Sequence, residues 1–66
     1  MTEEQKAAYV ISQSIAALAE IEGMKADNMQ RDVEGNSMAF RQKDFQDLIE
    51  RYGIDHNSVV GLFRGV

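Results

Sequence analysis

His56 is the only histidine in the chain, so general acid–base chemistry near neutral pH would have to begin there. Asp55 and Ser58 flank it in sequence, but a catalytic histidine needs a nucleophile and an orienting carboxylate converging on it, and nothing in the spacing supplies them. His56 is therefore read as a capping, packing or ligand-contacting residue, and no enzyme activity is expected. Carboxylates recur in pairs, Asp44 with Asp47 and Glu20 with Asp27, of the kind that binds divalent cations or moves protons. Eleven acids among 66 residues produce such pairs by chance, and the Asp-x-Asp-x-Asn-Gly order of a calcium loop is missing. Without cysteine, thiolate zinc ligation and disulfides are excluded. Neither a metal nor a cofactor is expected.

Anion chemistry has more material. The five glycines are single and scattered, which rules out a glycine-rich phosphate cradle. Ser37, Arg41 and Lys43, however, lie where a second helix should begin, and free amides with two cations can meet a phosphate there. Phe40 could stack on a base, and Arg31 could join from across the turn. The bland alternative is that Arg31 complements the negative end of the first helix, Phe40 plugs the hairpin, and Arg41 and Lys43 are solvated. The acids offer the opposite chemistry. Glu3, Glu4, Glu20, Glu22, Asp27, Asp32 and Glu34 either imitate a phosphate ladder or form an ordinary solvated face.

These residues must be positioned by a single small domain spanning residues 1–66. Its net charge is −4, with the whole excess in residues 1–36, and this argues against duplex DNA and anionic membranes as partners. No basic-apolar leader or long apolar run is present, and a cytosolic location is expected. The fold expected is all-α. Thr2-Glu3-Glu4-Gln5 fits a capping box, and Ala7, Ile11, Ile15 and Leu18 recur at helical spacing as the apolar stripe. Continued at the same phase, that stripe meets Glu22, Lys25, Met29 and Val33. A long helix over about 3–34 therefore holds two charges in its apolar face, facing a polar pocket or each other, unless Gly23 breaks it; the continuous helix is favoured.

Glu34-Gly35-Asn36-Ser37 reads as the reversal, with Ser37 able to cap the next helix. Phe45, Leu48, Ile49 and Tyr52 predict a short second helix over about 41–52, beginning as early as Met38, with Gly53 ending it and Ile54 folding back. Asp55 should cap a third helix from His56 to about Phe63, whose apolar side is Val59, Leu62 and Phe63. The two short helices pair with only part of the first, so the excess of its stripe should be buried against a copy of the same chain, giving an oligomer-stabilised helical hairpin.

The stretches Gly23-Met24-Lys25-Ala26-Asp27-Asn28-Met29-Gln30-Arg31, Gly35-Asn36-Ser37-Met38-Ala39-Phe40, and Asp44-Phe45 through Tyr52-Gly53-Ile54-Asp55-His56-Asn57 resemble small helical accessory proteins of tailed phages and prophages. The resemblance implies a short, often oligomeric protein that acts by binding, commonly to blunt a host defence. Two modes are expected from it: a sponge that sequesters a nucleotide immune signal between subunits, and an acidic inhibitor that blocks a host nuclease or effector. A small structural or assembly protein is the third class. In the sponge, Phe40 or Tyr52 would stack on the base, Arg31 and Arg41 would take phosphates with Lys43 beside them, and Asn36, His56 or Asn57 would read base or ribose edges.

Overall fold

Three helices, joined by two turns that share one design, make up the computed structural model, which describes residues 1–65. Helix α1 spans Glu3–Val33, α2 spans Gln42–Arg51 and α3 spans His56–Arg64, and there is no strand among the described residues. The Thr2 capping box forms as the sequence predicts. Thr2 Oγ1 accepts from the Gln5 N–H at 3.0 Å, and Gln5 Oε1 accepts from the Thr2 N–H at 2.9 Å. Helix α1 runs unbroken through Gly23, and Lys25 meets Glu22 at 3.3 Å, so the two charges in the stripe face each other one turn apart.

Gly35 and Gly53 end the first two helices in the same way. Each has positive φ (77° and 70°), where a side chain would strain the backbone. Behind each, the chain closes a six-to-one hydrogen bond, from the Asn36 N–H to the Arg31 carbonyl at 2.7 Å and from the Ile54 N–H to the Ile49 carbonyl at 3.3 Å. Ser37 does not cap α2, and no helix begins at Met38. Residues 36–41 run as a non-helical connector, and Arg41 occupies the N-cap of α2, where the Asp44 carboxylate accepts its N–H at 2.8 Å. The connector ends there because Asn28, in the last two turns of α1, binds the backbone of residues 39 and 40.

The covered face of α1 is not the one its apolar spacing predicts. Its covered side runs through Val10, Gln13, Ala17, Ile21, Met24 and Asn28, with Ala17, Met24 and Leu48 of α2 forming the buried core. Phe40, Phe45, Tyr52 and Ile54 pack around it. The stripe read from the sequence lies about 125° away around the helix at 100° per residue, and it is open: Ile11 is 59% exposed, Ile15 65%, Leu18 57%, Met29 69% and Val33 80%. A small residue at position 17 lets α2 approach closely, and the polar Gln13 and Asn28 satisfy backbone groups of the returning chain. In α3, Val59 and Leu62 are half-buried as expected, Val60 joins them, and Phe63 is 37% exposed. Among the described residues, no helix is long and apolar enough to cross a membrane.

Candidate functional site

The antiparallel course of α1 and α2 leaves a groove of about 270 Å³ between them, lined by Glu20, Met24, Phe40, Asp44, Asp47, Leu48 and Arg51. Its composition follows from helical spacing. Leu48 points into the core, so Asp44, four residues earlier, and Asp47 and Arg51, one and three positions away, flank it along the rim. From α1, Met24 supplies the floor and Glu20, one turn earlier, the opposite rim. The result is an apolar floor bordered by three carboxylates.

One of these carboxylates is already engaged. Glu20 Oε1 receives the Arg51 guanidinium at 3.0 Å and Glu20 Oε2 accepts the Tyr52 hydroxyl at 2.9 Å. This hydrogen bond to the carboxylate raises the Tyr52 phenol above its ordinary 10.0, with partial desolvation and the nearby negative charge adding to it. Asp44 accepts the Arg41 N–H, and neither Asp44 nor Asp47 meets a cation among the described residues. No group of three or more His, Asp or Glu side chains among the described residues is placed to hold a metal ion.

The eight residues expected to bind a nucleotide are distributed over both ends of the hairpin. Arg31 pairs with Asp27 at 3.6 Å, and Asn36 donates to Glu34 at 3.3 Å, both within the C-terminal end of α1 and its turn. Phe40 is half-buried against the core, its N–H and carbonyl held by Asn28. Arg41 and Lys43 are exposed at the start of α2. Tyr52 lies at the far end, its hydroxyl bound to Glu20, and exposed His56 and Asn57 open α3 beyond it. Eleven residues of helical rise separate Arg41 from Tyr52, about 16 Å. One chain thus brings Arg41 and Lys43 near Phe40, and does not bring them to Tyr52, His56 or Asn57.

A second, shallower hollow lies between α1 and α3, lined by Tyr9, Gly53, Ser58, Gly61 and Leu62. Asp55 caps α3 beside it, accepting the Ser58 N–H at 3.3 Å; the Ser58 contact holds the Asp55 carboxyl below its ordinary 3.8. The residues that sequence reading missed are Asn28 and the association of Glu20 with Asp44 and Asp47. Asparagine is a poor residue for a helix interior, and its presence there was the available signal for a tertiary role. No family model, no curated protein and no solved structure matches this chain.

Proposed function

We propose that this chain is a non-enzymatic binding protein whose α1–α2 groove takes a basic side chain from another protein. The observation that carries this reading is the groove itself, where Asp44 and Asp47 stand without cation partners beside the half-buried ring of Phe40, over a floor closed by the buried Met24 and Leu48. An arginine or lysine has the matching form: methylenes that lie along apolar surface and a charged head that stays at the rim. Phe40 adds an aromatic ring for the cation. The net charge of −4 draws basic surfaces toward the protein. In the setting that the phage-protein resemblance implies, the partner is a basic surface of a host nuclease or effector in the cytosol.

The test is titration of isotope-labelled protein with a short arginine-rich peptide, read by amide chemical shifts. Shifts centred on Phe40, Asp44, Asp47 and Leu48 are expected, absent with the citrulline version of the peptide and lost in the Asp44→Asn/Asp47→Asn double variant. Asparagine at position 44 still accepts the Arg41 N–H, so the fold persists. The same shifts in a Glu3→Gln/Glu4→Gln control would be unchanged.

A second reading, sequestration of a nucleotide between subunits, is favoured by one feature: Arg41 and Lys43 have no ion-pair partner among the described residues. Because Tyr52 is about 16 Å from Arg41 along the helix, such a pocket needs residues from two chains. Thermal stabilisation by a cyclic dinucleotide, abolished by Arg41→Ala, together with silence of the groove toward the arginine peptide, would transfer the proposal to this reading.

A further inference from the structure

We propose that the open stripe of α1 is the seat of a second copy of this chain, packed antiparallel, in a register set by Glu22 and Lys25. This inference is independent of the groove. The stripe is long and regular: Ile11, Ile15, Leu18, Glu22, Lys25 and Met29 alternate in steps of four and three, the spacing of a helix–helix seam. Its apolar members are all more than half exposed. They lie on the side of α1 away from α2 and α3, so a second copy reaches them without disturbing the hairpin or its groove.

The chain exposes more surface than a compact fold of its size. A folded chain of 7.4 kDa exposes about 4,200 Å², whereas this one exposes 5054 Å². The excess follows from the extended shape of the hairpin and leaves room for the roughly 800 Å² that each side contributes to a standard interface. The shape agrees, with a radius of gyration of 15.0 Å against about 11 Å for a compact chain of this length.

Charge selects the direction and the register. A parallel, in-register pair sets Glu22 on Glu22 and Lys25 on Lys25, like on like. Antiparallel registers centred nearer the middle of α1 set these charges against Ile11, Ile15 or Leu18 of the second copy, leaving them buried and unpaired. Centring the two-fold axis between positions 23 and 24 removes both conflicts. Glu22 then meets Lys25 of the second copy and Leu18 meets its Met29, while Ile15 comes opposite the exposed Asp32 in its last helical turn, at the solvent-facing end of the seam where that carboxylate stays hydrated. The Glu22–Lys25 pair within each helix joins its symmetry mate as a four-charge cluster of alternating sign. Ser12, Ala19 and Ala26 line one flank without charge, and on the other flank Ser14 is neutral and Asp32 stands at the end of the seam.

Sedimentation equilibrium should give twice 7.4 kDa, and Ile15→Glu should give the monomer mass with the helical circular dichroism retained. A wild-type mass of one chain, or of three or more, overturns the proposal. Direction is read by disulfide trapping, since the chain has no cysteine of its own. Leu18→Cys mixed with Met29→Cys should cross-link, and Leu18→Cys alone should not; the reverse pattern overturns the register. Should Ile15→Glu unfold, the wild-type mass and the cross-links still decide. Loss of the dimer leaves arginine-peptide binding at the groove intact, and loss of that binding leaves the dimer mass intact, so either proposal can fail without the other.

Discussion

Asn28 grips the backbone of Phe40 from both sides: its Oδ1 accepts the Phe40 N–H at 2.9 Å and its Nδ2 donates to the Phe40 carbonyl at 2.8 Å. The same Oδ1 also accepts the Ala39 N–H at 3.0 Å. One side chain therefore satisfies three backbone groups of a connector that has no regular structure of its own. Asn28→Ala should cost about 2–3 kcal/mol, since the partly buried groups of residues 39 and 40 lose their partners. That is most of what a chain this size holds, roughly 3–5 kcal/mol. Urea unfolding followed by circular dichroism checks it. Asn28→Asp should also destabilise, because it keeps both acceptor contacts but sets a carboxylate oxygen against the Phe40 carbonyl where the amide donated.

At the other end of the hairpin, Glu20 fixes Tyr52. A phenol that donates to a carboxylate is held neutral, so Tyr52 titrates above 10.0 in the folded protein. The stabilisation is fully present below the unfolded value and disappears as pH rises through the folded one. Tyrosinate absorbance should show Tyr52 ionising late in the wild type and closer to 10.0 in Glu20→Gln. A Glu20→Gln variant whose Tyr52 titration does not move would remove Glu20 as the cause.

Helix ends were more legible than helix faces. Thr2, Gly35, Gly53 and Asp55 act through their own backbone and its nearest neighbours, and each was readable because capping chemistry is local. The covered face of α1 was not. Counting apolar residues selects Ile11, Ile15 and Leu18, while the fold uses Gln13, Ala17 and Asn28, whose value lies in small size or in hydrogen bonds to chain that returns 11 to 39 residues later. The groove was half legible. Asp44 with Asp47 was visible as a pair, but Glu20 joins them only through the antiparallel packing of α1 on α2. Phe40 was expected either to plug the hairpin or to stack on a base, and its half-buried place against the core fits the first.

Acid should weaken the cap of α3. The Ser58 contact with Asp55 holds that carboxyl below 3.8, so its contribution is present above this value and is lost as pH falls through the folded pKa. Asp55→Asn keeps a capping oxygen without the charge. Thermal midpoints measured on descending pH should therefore fall through this range in the wild type more steeply than in Asp55→Asn. Equal slopes would assign the acid sensitivity to other carboxylates.

Two glycines give opposite expectations for the same substitution. Gly23 sits inside α1 with nothing within 4 Å of where a Cβ would stand. Alanine there fits the helical backbone and removes conformational freedom from the unfolded chain, so Gly23→Ala should stabilise by about 0.5–1 kcal/mol. Gly53 is equally uncrowded, but its φ of 70° lies in the left-handed region. Alanine must either hold that strained conformation, at about 1–2 kcal/mol, or abandon the hydrogen bonds that Gly53 and Ile54 donate to the Glu50 and Ile49 carbonyls. Gly53→Ala should therefore lower the urea midpoint while Gly23→Ala raises it, with little change in the dependence on urea concentration for either. Since space is open at both positions, backbone conformation alone separates them. A fall in midpoint for Gly23→Ala would mean that α1 bends at that residue rather than running through it.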